Sequence, residues 1–138
     1  MLLIEDNRAD ALLLQRELRV LRPDAVVHVA SDGDVALSML RGTDGIHRVE
    51  PGLVLLDLKL PKRSGREILR ELKDDPGLRQ IPVVVLTSST LAGDIDGCYE
   101  GHVNAYVPKP VGLTELRHTL RAITSFWLEV AFLPGAAP

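Results

Sequence analysis

The stretch Leu-Val-Leu-Leu-Asp-Leu-Lys-Leu-Pro, residues 53–61, decides the fold of this chain. Four apolar residues are followed by an acid and then by a turn that contains Pro61. Such a run predicts a strand that is buried on both faces and ends at a carboxylate. The carboxylate of Asp57 then has two readings. It caps the next helix, or it belongs to a functional site, and the rest of the chain has to decide between them.

Composition limits the possible class of protein and its partners before any motif is considered. The chain has 138 residues and a net charge of −3, with 46% hydrophobic and 25% charged residues, as in a single globular domain. The acidic balance predicts no nucleic-acid partner and no anionic membrane surface. Cys98 is the one cysteine, and Glu5 interrupts the first apolar run, so we expect neither a disulfide nor a signal peptide. With no apolar run near the roughly 18 residues of a membrane span, we expect a cytoplasmic protein.

Apolar runs alternate with helical patterns along the whole chain. Strands are predicted at residues 1–4, 25–30, 53–57, 81–87 and 105–107, and helices at 8–21, 34–41, 64–73, 91–101 and from 113 onward. This alternation predicts an α/β fold with a doubly wound five-stranded parallel sheet. If the strand order is 2-1-3-4-5, as in flavodoxin-like sheets, the first and third strands are neighbours at the switch point, where such sheets bind ligands.

Polar residues follow the predicted strands at one edge of this sheet. Glu5, Asp6 and Asp57 then share a pocket, with Thr87 and Lys109 on its far wall. Three carboxylates need a counter-charge, and oxygen ligands favour Mg²⁺. Magnesium leaves a carboxylate free to attack phosphorus and form an acyl phosphate.

These residues, in this order, resemble the receiver domain of bacterial two-component response regulators. The resemblance covers roughly residues 2–123 and rests on the following set: Glu5-Asp6, Asp57, Pro61, Gly65, Thr87-Ser88, Tyr106 and Lys109-Pro110. It implies that Asp57 accepts a phosphoryl group from a sensor histidine kinase. The chain would then be no enzyme beyond self-catalysed phosphorylation and slow autodephosphorylation.

The resemblance also implies a role for each neighbouring residue. Asp6 binds magnesium directly, Glu5 through water, and Lys59 through its main-chain carbonyl. Thr87 and Tyr106 are the switch pair, Ser88 is small enough to leave access open, and Lys109 contacts the phosphoryl group. The bond between Lys109 and Pro110 is expected to be cis. Phosphorylation is expected to change the face formed by the fourth helix, the fifth strand and the fifth helix.

A narrower resemblance rests on three further segments. Residues 56–67, 81–87 and 125–128 resemble the single-domain response regulators that partner bacterial phytochrome histidine kinases. Three alternatives remain for the function. A phosphorelay intermediate would pass the group to a histidine phosphotransfer protein. An aspartate-nucleophile phosphatase typically has an acid where Lys59 stands. A DNA-binding regulator would need more chain after the last helix.

The C-terminal segment predicts a contact between two copies of the chain. The receiver domain is expected at residues 1–124 and an apolar extension of the last helix at 125–138, helical as far as Pro134. A helix that is apolar on nearly all sides must be covered on nearly all sides. Either it folds back on its own domain, or it crosses onto a partner in a symmetric homodimer. The homodimer hypothesis places these residues in the interface: Tyr99, Tyr106, Phe126, Trp127, Val130, Phe132 and Leu133.

Overall fold

Five parallel strands organise the computed structural model, which describes residues 1–135. The strands are β1 (Leu2–Ile4), β2 (His28–Ala30), β3 (Val54–Leu56), β4 (Val83–Thr87) and β5 (Ala105–Pro108). The helices are α1 (Arg8–Leu21), α2 (Gly33–Arg41), α3 (Gly65–Asp74), α4 (Ala92–Glu100) and α5 (Leu113–Ser125). The strand order is β2-β1-β3-β4-β5, so the predicted doubly wound sheet is confirmed.

Alternating side chains of the strands build a core on each face of the sheet. Leu2 and Ile4 point into the core that α2, α3 and α4 cover, whereas Leu3 points into the core beneath α1 and α5. The same alternation divides β3 between the two cores. Because both faces are covered, β1 and β3 are apolar throughout, which is why their sequences lack a polar alternation.

Several strands are shorter than their apolar runs predicted. The second strand begins at His28, because it pairs only with β1, whose three residues offer three partners. Helix starts are better marked, since local side chains bond the free amides there. The side chains of Asn7, Asp32 and Ser64 accept hydrogen bonds from amides three residues further along the chain.

The glycines of α4 leave room for side chains of α3. A Cβ on Gly97 would lie 2.0 Å from the guanidinium of Arg66, and one on Gly101 would lie 3.3 Å from Leu69. Cys98 is the buried residue of this helix. The predicted fourth helix is therefore formed, and Gly97 and the following Gly101 pack against α3.

The last helix is extended beyond residue 124, as predicted, but it ends earlier than predicted. Helix α5 ends at Ser125 and continues as one wide turn of π-helix over Phe126–Val130, closed by a 2.8 Å hydrogen bond from the amide of Ala131 to the carbonyl of Phe126. Ala131 is extended, so the prediction of a helix as far as Pro134 is wrong. Residues 136–138 of the predicted extension lie outside the described part of the chain.

Contacts with the extension's own domain explain this path. Trp127 and its neighbour Leu128 pack against the core beneath α1 and α5. Leu133 lies against Gly52, just before β3, and lines a cleft there with Pro134. The chain must leave the helix for Leu133 to reach this position. Within residues 1–135, no helix is long and apolar enough to cross a membrane.

Candidate functional site

The predicted convergence of strand ends occurs at the carboxyl edge of the sheet. Glu5 follows β1 and Asp57 follows β3, and both are buried, whereas Asp6 is exposed. Carboxylate oxygens of these three residues lie within 4.8 Å of one another. The sheet topology brings them together, because β1 and β3 are paired neighbours at the point where strand order reverses.

Lys109 supplies the positive charge of this pocket. Its Nζ donates to Glu5 Oε2 at 2.8 Å and to Asp57 Oδ2 at 3.1 Å. The main chain of Lys109 is held as well, since its amide donates to the carbonyl of Thr87 at 2.7 Å. The ammonium group therefore lies between the two buried carboxylates, as the sequence predicted for the far wall of the pocket.

The predicted cis bond between Lys109 and Pro110 is wrong. Every peptide bond among residues 1–135 is trans. The amide of Lys109 and its ammonium group both reach their partners with the trans bond in place. Trans is the isomer that a bond before proline prefers in the absence of a contact that selects cis.

Burial and the shared Lys109 give the carboxyl groups of Glu5 and Asp57 different pKa values. Burial raises the pKa of Glu5 to about 7, against the opposing effect of Lys109. Burial acts to raise the pKa of Asp57 too, but contacts with Glu5 and Lys109 outweigh it and hold this pKa below its usual value. Lys109 loses solvation on burial, yet its two carboxylate partners raise its pKa. Asp57 is thus the anionic member of the pair.

The donor set suits a hard divalent cation. Glu5, Asp6 and Asp57 offer oxygen atoms alone, which Mg²⁺ and Mn²⁺ prefer. Burial is the largest cause of the raised pKa of Glu5, and the neighbouring Asp57 raises this pKa further. Lys59 is exposed, and its amide donates to Asp57 Oδ1 at 3.4 Å. Its predicted role as a carbonyl ligand of the metal stays a prediction.

The predicted switch pair is linked through the loop that follows β4. Thr87 is fully buried, and its Oγ1 accepts from the amide of Ser89 at 3.4 Å. The hydroxyl of Tyr106 donates to the carbonyl of Ser89 at 2.8 Å. Ser88 is exposed, in agreement with open access to the pocket. Thr87 and Tyr106 therefore meet through Ser89.

Gly65 is required because its backbone lies close to the backbone of Asp57 and Leu58, just after β3. Its amide donates to the carbonyl of Leu58 at 2.9 Å. A Cβ at this position would lie 2.3 Å from the main-chain oxygen of Asp57 and 2.7 Å from Leu58 Cα. Since both are backbone atoms, neither can move aside without displacing the main chain at Asp57 and Leu58.

Two residues of the site were missed by the sequence reasoning. Asp10 was not predicted for the site, and its Oδ2 lies 3.4 Å from Lys109 Nζ. Ser89 carried no signal, because it contributes a main-chain carbonyl to Tyr106. Its side chain also donates to Asp94 of α4 at 2.5 Å. The sequence shows Asp10 three residues after Asn7, but its partner Lys109 is 99 positions away in the chain.

The residues predicted for a dimer interface divide into two groups. Trp127 and Leu133 are partly buried on their own domain. Tyr106 packs partly against the core beneath α4, and its amide donates to the hydroxyl of Tyr99 at 3.3 Å. The exposed group comprises Tyr99, Phe126, Val130 and Phe132, with 51, 51, 69 and 80% of the residue surface accessible. The fold-back reading thus holds for part of the extension, and an apolar surface remains.

The chain is similar to known proteins over nearly its whole length. A family model described as the response regulator receiver domain matches residues 1–121. The response regulator Rcp1 of Synechocystis sp. (strain PCC 6803) is 43% identical over 136 residues, which cover 98% of this chain and 92% of that protein. The probable methanogenesis regulatory protein FilR2 of Methanothrix harundinacea (strain 6Ac) is also 43% identical, over 99% of this chain and 88% of that protein.

Solved structures agree with the sequence relatives. The phosphorylated cyanobacterial phytochrome response regulator RcpA superposes with a TM-score of 0.88 at 41% identity, covering 97% of this chain and 96% of that one. The Mn²⁺-bound form of Rcp1 gives 0.86 at 42% identity, with 97% of each chain covered. These similarities span the sheet, the strand-end pocket and the last helix.

Proposed function

The chain belongs to the response regulator receiver family, and from that premise we propose that Asp57 accepts a phosphoryl group from a sensor histidine kinase. The observation that carries the proposal is the Lys109 ammonium group between Glu5 and Asp57, at 2.8 and 3.1 Å. This arrangement keeps Asp57 anionic and places a positive charge where a phosphoryl group on Asp57 would lie. The capping role first considered for Asp57 has no support, since Ser64 caps the helix that follows.

The transfer exchanges one bond to phosphorus for another. An oxygen of Asp57 forms a bond to phosphorus, and the P–N bond of the kinase's phosphohistidine breaks. The electron pair of that bond stays on the imidazole, and Lys109 keeps its proton throughout. The hydroxyl of Thr87 and the Lys109 ammonium then donate to phosphoryl oxygens. The chain acts as a phospho-acceptor, not as an enzyme with an external substrate.

We propose Mg²⁺ as the cation of the acidic cluster. Glu5, Asp6 and Asp57 would hold it, with the main-chain carbonyl of Lys59 as a further ligand. When bound, it neutralises charge on the phosphoryl oxygens during transfer. The all-oxygen donor set supports the assignment. The Mn²⁺-bound form of Rcp1, a 42% identical protein, is consistent with a divalent ion of this kind.

Labelling by acetyl phosphate tests the acceptor assignment. The full-length chain should gain one base-labile phosphoryl group in the presence of Mg²⁺ and none after chelation with EDTA. Asp57→Asn should abolish the label, because an amide neither attacks phosphorus nor forms an acyl phosphate. Asp74→Asn, a matched change at an exposed aspartate of α3, should label like the unmodified chain. Label that persists on Asp57→Asn at the same stoichiometry overturns the proposal.

We propose a bacterial phytochrome as the kinase, acting in the cytoplasm. The support is the similarity to RcpA, described as a cyanobacterial phytochrome response regulator, over nearly the whole chain. A probable methanogenesis regulatory protein is 43% identical, against 41% for RcpA, so the kinases must be compared directly. Initial rates of transfer from a phosphorylated phytochrome kinase should exceed those from kinases without a phytochrome module. Equal or faster transfer from the latter group would exclude this partner.

A symmetric homodimer is proposed for the remaining apolar surface. Phe126, Val130 and Phe132 are exposed on the C-terminal extension, and Tyr99 is exposed on α4. The rings of Phe126 and Trp127 are perpendicular at 5.0 Å between centroids, so Phe126 is braced by its partly buried neighbour. An exposed aromatic held rigidly in this way is typical of an interface anchor. Tyr99 also contacts the predicted switch residue Tyr106, whose amide donates to the Tyr99 hydroxyl at 3.3 Å.

A further inference from the structure

The ammonium group of Lys109 has a third carboxylate partner that the proposed function does not use. Asp10 Oδ2 lies 3.4 Å from Lys109 Nζ, beyond the 2.8 Å to Glu5 and the 3.1 Å to Asp57. Glu5 and Asp57 belong to the acidic cluster that suits a divalent cation, and Asp10 does not. A cation that takes oxygens of Glu5 and Asp57 as ligands competes with Lys109 for them. Such a cation would leave the contact between Lys109 and Asp10 intact.

The start of α1 holds the main chain of Asp10 independently of the pocket. The amide of Asp10 donates to the side chain of Asn7 at 3.0 Å, which fixes the first turn of the helix. The Asp10 side chain is 48% exposed, against 1% for Glu5 and 9% for Asp57. Asp10 is therefore at the solvent-accessible rim of the pocket. Asp10 and Lys109 together line a cleft of about 290 Å³ between α1 and the segment that follows β5.

We propose that Asp10 is a positioning residue for Lys109 during phosphoryl transfer. It keeps the ammonium group at the rim of the Asp57 pocket when the cation has taken the buried carboxylates. Lysine has a long and flexible side chain, and a fixed partner reduces the conformational freedom lost in reaching the phosphoryl oxygens. Asp10 itself makes and breaks no bond. This inference rests on the proposed function, in which a bond from Asp57 to phosphorus forms as the donor's bond breaks.

The test is phosphorylation of the full-length chain by acetyl phosphate at saturating Mg²⁺, with the rate measured against donor concentration. Asp10→Asn should lower the maximal rate about fivefold, the upper range for a partly exposed ion pair, with the half-saturating donor concentration unchanged. Asp10→Glu should restore most of the rate. Asp74→Asn, which removes an exposed charge elsewhere, should leave it unchanged.

A double-mutant cycle separates positioning from other roles. In the Lys109→Met background, adding Asp10→Asn should cause no further loss, because the group that Asp10 positions is gone. A further fivefold loss there would show that Asp10 acts apart from Lys109. A rate for Asp10→Asn equal to or above that of the unmodified chain would overturn the inference, since a merely repulsive charge would give that result.

Two further measurements keep the outcomes distinct. Asp10→Ser, a second way to remove the carboxylate, should reproduce the loss, and unequal effects of Ser and Asn would also contradict the positioning role. Circular dichroism establishes that each variant is folded at the assay temperature. Label that persists on Asp57→Asn refutes the proposed function. A labelled parent chain with an unaltered Asp10→Asn rate refutes only the role of Asp10.

Discussion

The hydroxyl of Tyr106 donates a 2.8 Å hydrogen bond to the main-chain carbonyl of Ser89. This contact joins β5 to the loop after β4, and the amide of Ser89 in turn donates to the Thr87 hydroxyl oxygen. Ser89 also bonds Asp94 in the first turn of α4. A shift of Thr87 toward a phosphoryl group on Asp57 would remove the acceptor of the Ser89 amide. Ser89 is therefore hydrogen-bonded both to Thr87, which borders the Asp57 pocket, and to Asp94 of α4.

The first prediction concerns this link. Beryllofluoride, which mimics the phosphoryl group, should shift the amide resonances of Ser89, Asp94 and Tyr106 when added with Mg²⁺. Thr87→Ala should still bind beryllofluoride but should give much smaller shifts at Tyr106, because the hydroxyl that moves is absent. Two-dimensional NMR of the full-length chain measures both effects. Unmoved resonances between residues 93 and 106 in the unmodified chain would show that the two sites are uncoupled.

The second prediction concerns Gly65. Gly65→Ala should lower the free energy of unfolding by about 1–3 kcal/mol, because the new Cβ meets backbone atoms of Asp57 and Leu58. Gly93→Ala is the matched control, since a Cβ there meets no heavy atom within 4 Å among the described residues. It should raise the stability by about 0.4–1 kcal/mol. Urea denaturation measures both, and a neutral Gly65→Ala would contradict the close approach.

The third prediction concerns the pH dependence of metal binding. Burial raises the pKa of Glu5 to about 7 in the metal-free protein, and a cation requires the deprotonated carboxylate. Affinity for Mg²⁺ should therefore be full above this pKa. It should fall as the pH decreases through it, by up to about tenfold for each pH unit below about 7.

Titration calorimetry in buffers of different ionisation enthalpy tests the sign. Below about pH 7, binding should release up to about one proton, and well above it close to none. Glu5→Gln should bind Mg²⁺ more weakly but without this dependence. Equal dependence in Glu5→Gln would assign the titration to another group.

The fourth prediction concerns the C-terminal extension. The full-length chain should sediment as a dimer with a dissociation constant between about nanomolar and micromolar, the range of standard interfaces. Deletion after Ser125 should give a monomer that still labels on Asp57. Because Trp127 and Leu128 pack on their own core, the double variant Phe126→Ser, Phe132→Ser is the cleaner test.

A matched control isolates the proposed surface from general loss of apolar area. Leu12→Ser removes an exposed apolar side chain of α1 and should leave the dimer intact. The unmodified chain is also tested above micromolar concentration, with and without beryllofluoride. A monomer under both conditions would rule the dimer out.

The sequence alone determined the parallel sheet and the residues of the strand-end pocket other than Asp10 and Ser89. Runs such as residues 53–56 are apolar because both faces of the sheet are covered, and this signal is local. The carboxylates and Lys109 stand at strand ends, so knowing the strand order was enough to bring them together. Capping side chains such as Asn7 likewise bond amides only three residues away.

Tertiary structure alone decided the features that depend on distant partners. The Asp10 carboxylate meets Lys109 across 99 positions of sequence, and the Tyr106 hydroxyl meets a carbonyl that has no side-chain signal. The isomer before Pro110 was predicted wrongly, since the intrinsic preference is only about 0.5–1 kcal/mol and surrounding contacts can select either form. The extension left the helix after Val130 because packing of Trp127 and Leu133 on their own domain outweighed helical propensity.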